Sequence, residues 1–364
     1  MVQKQDKTTA LPGVLATISA GFELTTRFLW LMLLPALLDL FLWIGPRLSF
    51  RTLIESTLET SLALLPTDMM TIDPQLLLET AGRLNHFAYL SVSLLGVPTL
   101  MREIPPQTTP LTPAVIEGGG ALAWFGYLLL FTVLGLLLTA LYYNLIAYAM
   151  RRATADRGRQ TTDDGPRTTR TPGTEAGSPP SGDDRSSDDR SRLVSGRLTP
   201  ARFARRTLQT WLRLMALALL FIVLVMVIAI PVTLLAGFAA ILSQLIATFI
   251  LFGAIVLVIW LLMFLSYTPQ GMLLNPRPFL IAVGDSVRLF QGNMPASLGL
   301  IFLVLVLRQV LSFVLLTADS GTWVTAILIL AHAYIVTALT VALFLFYRDR
   351  FVAYLKTAQT PVKA

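Results

Sequence analysis

Six stretches of this chain are long and apolar enough to cross a bilayer, and no other feature restricts its fold as much. A transmembrane helix needs ~20 mostly apolar residues to cover a hydrocarbon core of ~30 Å. Residues 28–45, 121–149, 211–236, 240–265, 296–316 and 323–346 meet that demand. Lipid offers no hydrogen bonds to an exposed backbone, so runs of this kind read as helices. Composition agrees: 55% of the 364 residues are hydrophobic and only 13% are charged, where a soluble domain carries about 25% charge. The expected class is an all-α integral membrane protein with about six transmembrane helices. A further stretch, 84–101, contains Asn85, His86 and Pro98 and is expected in the interface or in an external fold.

The basic residues lie mostly between the apolar runs. Segment 46–120 carries four Arg against seven acids, a net −3, whereas 1–27, 151–197, 198–213, 266–295 and 347–364 are each net positive. Lys and Arg in short loops mark the cytoplasmic side, so a multi-pass protein of the cell membrane with both termini cytoplasmic is expected. The polar start MVQKQDKTTALPG gives no cleavable signal peptide. Residues 151–197 mix Arg, Asp, Thr, Ser, Pro and Gly with almost nothing apolar. Such a segment cannot bury enough surface to offset ordering entropy, so a disordered cytoplasmic linker is expected. It divides the chain into 1–150, with two spans and a small external helical segment, and 198–364, a four-span membrane domain.

Three spans are preceded by helix-compatible stretches with apolar residues at helical spacing. In 199–215, Ala204, Leu208, Trp211, Leu212 and Met215 fall on one face and Arg202, Arg205, Arg206, Gln209 and Arg213 on the other. Over 279–291 the faces are Phe279, Leu280, Val283, Val287 and Phe290 against Asp285, Arg288 and Gln291. Over 14–27 they are Val14, Leu15, Ile18 and Phe22 against Ser19, Glu23, Thr26 and Arg27. Three transmembrane hairpins, each introduced by a cytoplasmic interfacial amphipathic helix, are the expected architecture. The four arginines of the first stretch are the expected contacts to anionic inner-leaflet headgroups. The stretches AGFELTTRFLWLMLLPALL from Ala20 and GDSVRLFQGNMPASLGLIFLV from Gly284 resemble the membrane domain that accompanies some bacterial glycerophosphoryl diester phosphodiesterases, and related polytopic families. That resemblance implies the membrane architecture alone, because the soluble phosphodiesterase barrel is absent from this sequence.

Ionisable groups within a span are costly and point to function by default. Asp39, Arg308 and His332 all fall near mid-membrane, and Gln309 adjoins Arg308. Asp39 facing Arg308, with Gln309 and His332 close by, would make either a polar path or an ion pair that fixes packing. Pro35, one turn before Asp39, could free a carbonyl there. The chain has no cysteine and two histidines, which excludes thiolate chemistry and leaves no metal-ligand pattern. Neither a GxSxG elbow nor a phosphate-binding Gly-rich loop occurs. No enzymatic activity and no cofactor are expected. Membrane lipids are the expected partners and nucleic acid is not. The preferred function is an organising or scaffold role, with a small transporter or lipid-translocating protein built on the mid-membrane cluster as the alternative.

Overall fold

In a computed structural model the described residues are 11–64, 84–92, 96–103, 108–163, 200–275, 278–316 and 321–359, with positions 75, 78, 79 and 82. Most of the expected linker and the Pro-rich stretch from 104 to 107 lie outside them. The helices are α1 (Val14–Arg27), α2 (Leu33–Ile44), α3 (Arg51–Leu64), α4 (Leu100–Glu103), α5 (Ala121–Asp163), α6 (Pro200–Leu242), α7 (Gln244–Leu265), α8 (Thr268–Leu274), α9 (Phe279–Gly292), α10 (Met294–Leu316) and α11 (Val324–Gln359). Short 3₁₀ turns occupy Leu29–Met32 and His86–Ser91. Among the described residues five helices are long and apolar enough to cross a membrane. A bent pair, in which Val14–Arg27 and Leu29–Ile44 meet at 96°, raises the number to six if it counts as one span. Pro35 sits in the first turn of α2, where its missing N–H costs little.

α11 is the centre of the bundle. More than half of its most apolar stretch, 56%, is buried, against 6% for the corresponding stretches in α6 and α7. α1 lies along α11 on a stripe of Thr17, Ile18, Gly21, Leu24 and Thr25. A Cβ on Gly21 would come within 2.9 Å of the Ala342 Cβ, so glycine sets how closely the two helices approach. Thr26 and Tyr334 share a hydroxyl contact of 2.8 Å at the edge of this seam.

The packed faces coincide only in part with those that amphipathicity marks: Ile18 and Phe290 pack inward and Ser19, Glu23, Thr26 and Arg27 stay exposed, but other positions depart from the pattern. Leu15 of α1 is 75% exposed and Leu280 of α9 is 73% exposed. α9 instead buries Ala282, Asp285, Ser286, Leu289 and Phe290. Ser286 Oγ donates to the Phe264 carbonyl at 2.7 Å and accepts from the Tyr267 amide at 3.2 Å, closing the α7–α8 corner. In the third stretch Leu208 and Leu212 point outward while Thr207, Thr210, Leu214 and Leu217 pack inward. Nor is that stretch a separate helix. It is the first part of α6, which runs unbroken for 43 residues and continues through Pro231. Small residues favour helix contacts inside a bundle, and large apolar ones are stable against lipid. At all three places the packed side mixes small residues with large apolar ones such as Leu24, Leu214 and Phe290, while Leu15, Leu208 and Leu280 stay outside.

Segment 46–120 departs from an all-helical cap. β1 (Arg47–Ser49) pairs in parallel with β2 (Val115–Glu117), with Leu48 opposite Ile116. Asn85 Oδ1 accepts the amides of Leu48 and Phe87. The ring of His86 rests on Phe50, centroids 4.7 Å apart. Three-residue strands have no room for an alternating pattern, so nothing in the sequence announces them. The 3₁₀ turn then packs on the middle of α5, where a Cβ on Gly135 would sit 2.5 Å from the Leu90 carbonyl oxygen. α5 itself continues to Asp163, so residues 151–163, expected in the tether, are helical.

Gly21→Val should push α1 off α11 and cost about 1–3 kcal/mol by overpacking. The chain has no native cysteine, so spin labels on Leu15→Cys and Leu330→Cys, both at exposed positions, report the seam cleanly. Their separation should widen in the Gly21→Val background.

Candidate functional site: a buried carboxylate, its amides and an imidazole

Asp39 lies on the inward face of α2 with no exposed surface. Its Oδ1 accepts the Met101 amide at 2.9 Å and its Oδ2 the Leu100 amide at 3.0 Å. The same Oδ2 is 3.6 Å from His332 Nδ1 on α11. The carboxylate therefore seats the first turn of α4, a piece of the 46–120 segment, against α2 and α11. The described residues around it are held by their own hydroxyl groups. Thr99 Oγ1 donates to Ser91 Oγ at 2.8 Å, and Ser91 Oγ donates to the Val97 carbonyl at 2.8 Å. Val97, Thr99, Leu100 and Met101 are all buried.

Two amide donors satisfy a carboxylate in low dielectric with charge-assisted hydrogen bonds and no second buried ion. That is the physical reason Arg308 is not among the partners of Asp39. Arg308 is half-buried on α10 and acts electrostatically on the Tyr143 hydroxyl of α5, and Gln309 is exposed. The structure thus brings together Asp39 and His332 of the four residues expected at mid-membrane. His332 is also fully buried, and among the described residues neither ring nitrogen has a hydrogen-bond partner. At 3.6 Å its approach to Asp39 is longer than a direct hydrogen bond. Tyr142 Oη donates to Thr337 Oγ1 at 3.1 Å, tying α5 to α11 just beyond His332. Trp43 meets Trp323 edge to face at 5.7 Å and ties α2 to the start of the same helix.

The four arginines expected on one basic surface divide. Arg202 and Arg205 are exposed. Arg206 turns inward and donates to the Leu273 carbonyl at 2.8 Å, and Arg213 donates to the Met272 carbonyl at 3.4 Å. Both end on the last carbonyls of α8, which a helix leaves unpaired and partly negative. Among the described residues no group of three or more His, Asp or Glu side chains could hold a metal ion.

The amides of Leu100 and Met101 were invisible to a reading of side chains, since every residue but proline carries one. The one local signal was the dense run of small polar and turn residues between Ser91 and Thr99.

Asp39→Ala should strand two buried amides at roughly 1–3 kcal/mol each, whereas Asp39→Asn keeps an acceptor oxygen and should lose about half as much. Thermal unfolding in micelles separates the two, and equal losses would mean that the amide contacts carry little. In the β1 region, burial holds the His86 imidazole below its ordinary value, opposed by its hydrogen bond to the Leu48 carbonyl. The unfolded ring takes a proton as pH falls below about 6.5 while the folded ring resists it. Segment 84–92 is therefore at full stability above that pH and loses stability below it. Protection factors of the Leu48 and Phe87 amides, referred to the intrinsic exchange rate at each pH, should fall between pH 7.5 and 5.5, and His86→Asn should flatten the dependence.

No family model matches the chain, and no curated protein or solved structure matches it.

Proposed function

We propose that this chain is a non-enzymatic multi-pass protein of the cell membrane, with both termini in the cytoplasm, that organises lipid around its helices. The observation that carries this reading is how Asp39 is employed. Both of its oxygens are spent on the amides of α4 and it is shielded from solvent, which suits a charge retained for architecture. The outward surface supports the same reading. α6 and α7 keep most of their apolar length exposed, with Phe238, Phe249 and Phe252 at 62–70%. α1 and α9 present Leu15, Leu280 and Ile281 outward beside their polar residues, as interfacial helices do. Contacts to anionic inner-leaflet lipid then fall to the exposed Arg202 and Arg205, at about 1 kcal/mol for each basic residue near the surface.

A second reading has one observation in its favour. His332 is buried beside a carboxylate, and among the described residues neither ring nitrogen has a hydrogen-bond partner, as in a proton-linked translocator. Reconstitution in liposomes distinguishes the two. With a quenchable fluorescent lipid in both leaflets, vesicles holding the wild-type chain should lose the same fraction of signal to an external quencher as empty vesicles. If the chain instead moves lipid, and His332→Gln stops that movement without lowering the unfolding temperature, the translocator reading replaces the organising one.

A further inference from the structure

At the end of the bundle that carries Arg206 and Arg213, a cleft of about 450 Å³ opens between α5, the end of α8 and the last turns of α11. Met150, Leu274, Phe351 and Val352 make its apolar walls, and no acidic residue lines it. Arg151 projects from the α5 side, half-buried and within the field of Arg206. The other cations nearby have acceptors. Arg206 and Arg213 hold the α8 carbonyls, and Arg348 is neutralised by Asp349 at 2.8 Å. Among the described residues Arg151 receives no such contact. A guanidinium has five N–H donors in a planar fork, and removing part of its hydration without supplying an acceptor is unfavourable. A second cation close by increases the demand for an anion.

Depth then narrows which anion. Arg151 directly follows the apolar length of α5, and Arg348 follows that of α11, so the cleft sits where a span meets the headgroup layer. The walls below it are aliphatic and aromatic, and Val352 at the mouth is 46% exposed. Free inorganic phosphate would satisfy the guanidinium but gain nothing from those walls. A phospholipid offers both, since its phosphate matches the fork in bidentate fashion and its glycerol and first methylenes match the walls. The volume suits a phosphoglycerol headgroup, with the chains left outside along the bundle.

We propose that this cleft binds the phosphate of an anionic phospholipid, with Arg151 as the ligand to its oxygens and Met150, Leu274 and Phe351 against the glycerol. The inference rests on the lipid-organising reading above and names where one lipid is held. Asn275, whose Nδ2 donates to Tyr347 Oη at 3.3 Å, also lines the cleft.

The test uses the full chain in zwitterionic micelles, with short-chain phosphatidylglycerol and phosphatidylcholine as competing probes and retained lipid counted by native mass spectrometry. The wild type should prefer the anionic probe by roughly tenfold, the factor that 1.4 kcal/mol produces. Arg151→Gln should remove most of that preference, leaving only what the exposed Arg202 and Arg205 contribute. Val352→Trp, which fills the mouth and leaves every charge in place, should do the same, and it keeps the proposal open to refutation if Arg151→Gln folds poorly. Arg288→Gln, an exposed position on α9, should leave the ratio unchanged. Glycerol phosphate and inorganic phosphate at the probe's concentration should not displace the lipid. If the wild type shows no anionic preference, the lipid-organising reading falls together with the site. If it shows one that neither Arg151→Gln nor Val352→Trp reduces, only the site falls. Displacement by inorganic phosphate would assign the cleft to a soluble anion and also overturn the proposal.

Discussion

A carboxylate in the middle of a span cannot be left to itself, and most of this architecture follows from how that one group is satisfied. Asp39 accepts two main-chain amides, from Leu100 and Met101. The residues that carry them are buried with Ser91, Val97 and Thr99, which are joined by two hydroxyl hydrogen bonds. Irregular backbone within a bilayer is tolerated where protein encloses it, and Val97, Thr99, Leu100 and Met101 of this insert are all buried. The charge and the insert need each other. An unpaired carboxylate would be expelled or neutralised, and an unpaired turn of backbone would not stay buried.

Around that core the structure splits into a rigid part and an applied part. α1, α2, α5 and α11 share one buried cluster with Leu24, Leu42, Trp43, Tyr142, Ile146 and Phe344 among its members. α6 and α7 meet mainly each other, through Ala236, Ala239 and Ala247. α6 is tied to the core near its start, where Trp211 Nε1 donates to the Val133 carbonyl at 3.1 Å. Arg206 and Arg213 repeat the principle that governs Asp39 with the signs reversed, cations settled on the carbonyl end of α8. Main chain, more than opposite charge, is what this protein uses to quiet its buried ions.

Much of this was legible in the sequence. The length and purity of the apolar runs mark the spanning helices, and the ionisable residues within them point to Asp39 and His332 along with Arg308. The partner of Asp39 was not legible, because an amide leaves no mark in a one-letter code and a buried Arg308 was the more visible candidate. The amphipathic stretches lie in helices with Leu15, Leu208 and Leu280 outward, but the pattern does not mark which residues pack on the protein. In water, Leu15, Leu208 and Leu280 would seek the core. In a bilayer they have no reason to, and the contact falls to Gly21, Thr25, Thr207, Ala282 and Ser286. The parallel strand pair escaped because each strand has three residues and its partner lies nearly seventy positions away.

The seam between α1 and α11 joins nearly the first described residue to nearly the last. Arg350 lies over the Phe346 ring at 3.4 Å and donates to the Pro12 carbonyl at 3.3 Å, across 338 positions of chain. During synthesis α1 therefore emerges without the helix it will rest on, and the first span enters the membrane long before His332 exists. What is available early is the insert, some sixty residues behind Asp39, whose amides can settle the carboxylate while the ribosome is still producing the middle of the chain. The protein has arranged for its most awkward group to be accommodated by the nearer of its two partners, leaving the last helix to close the bundle over a site already neutralised.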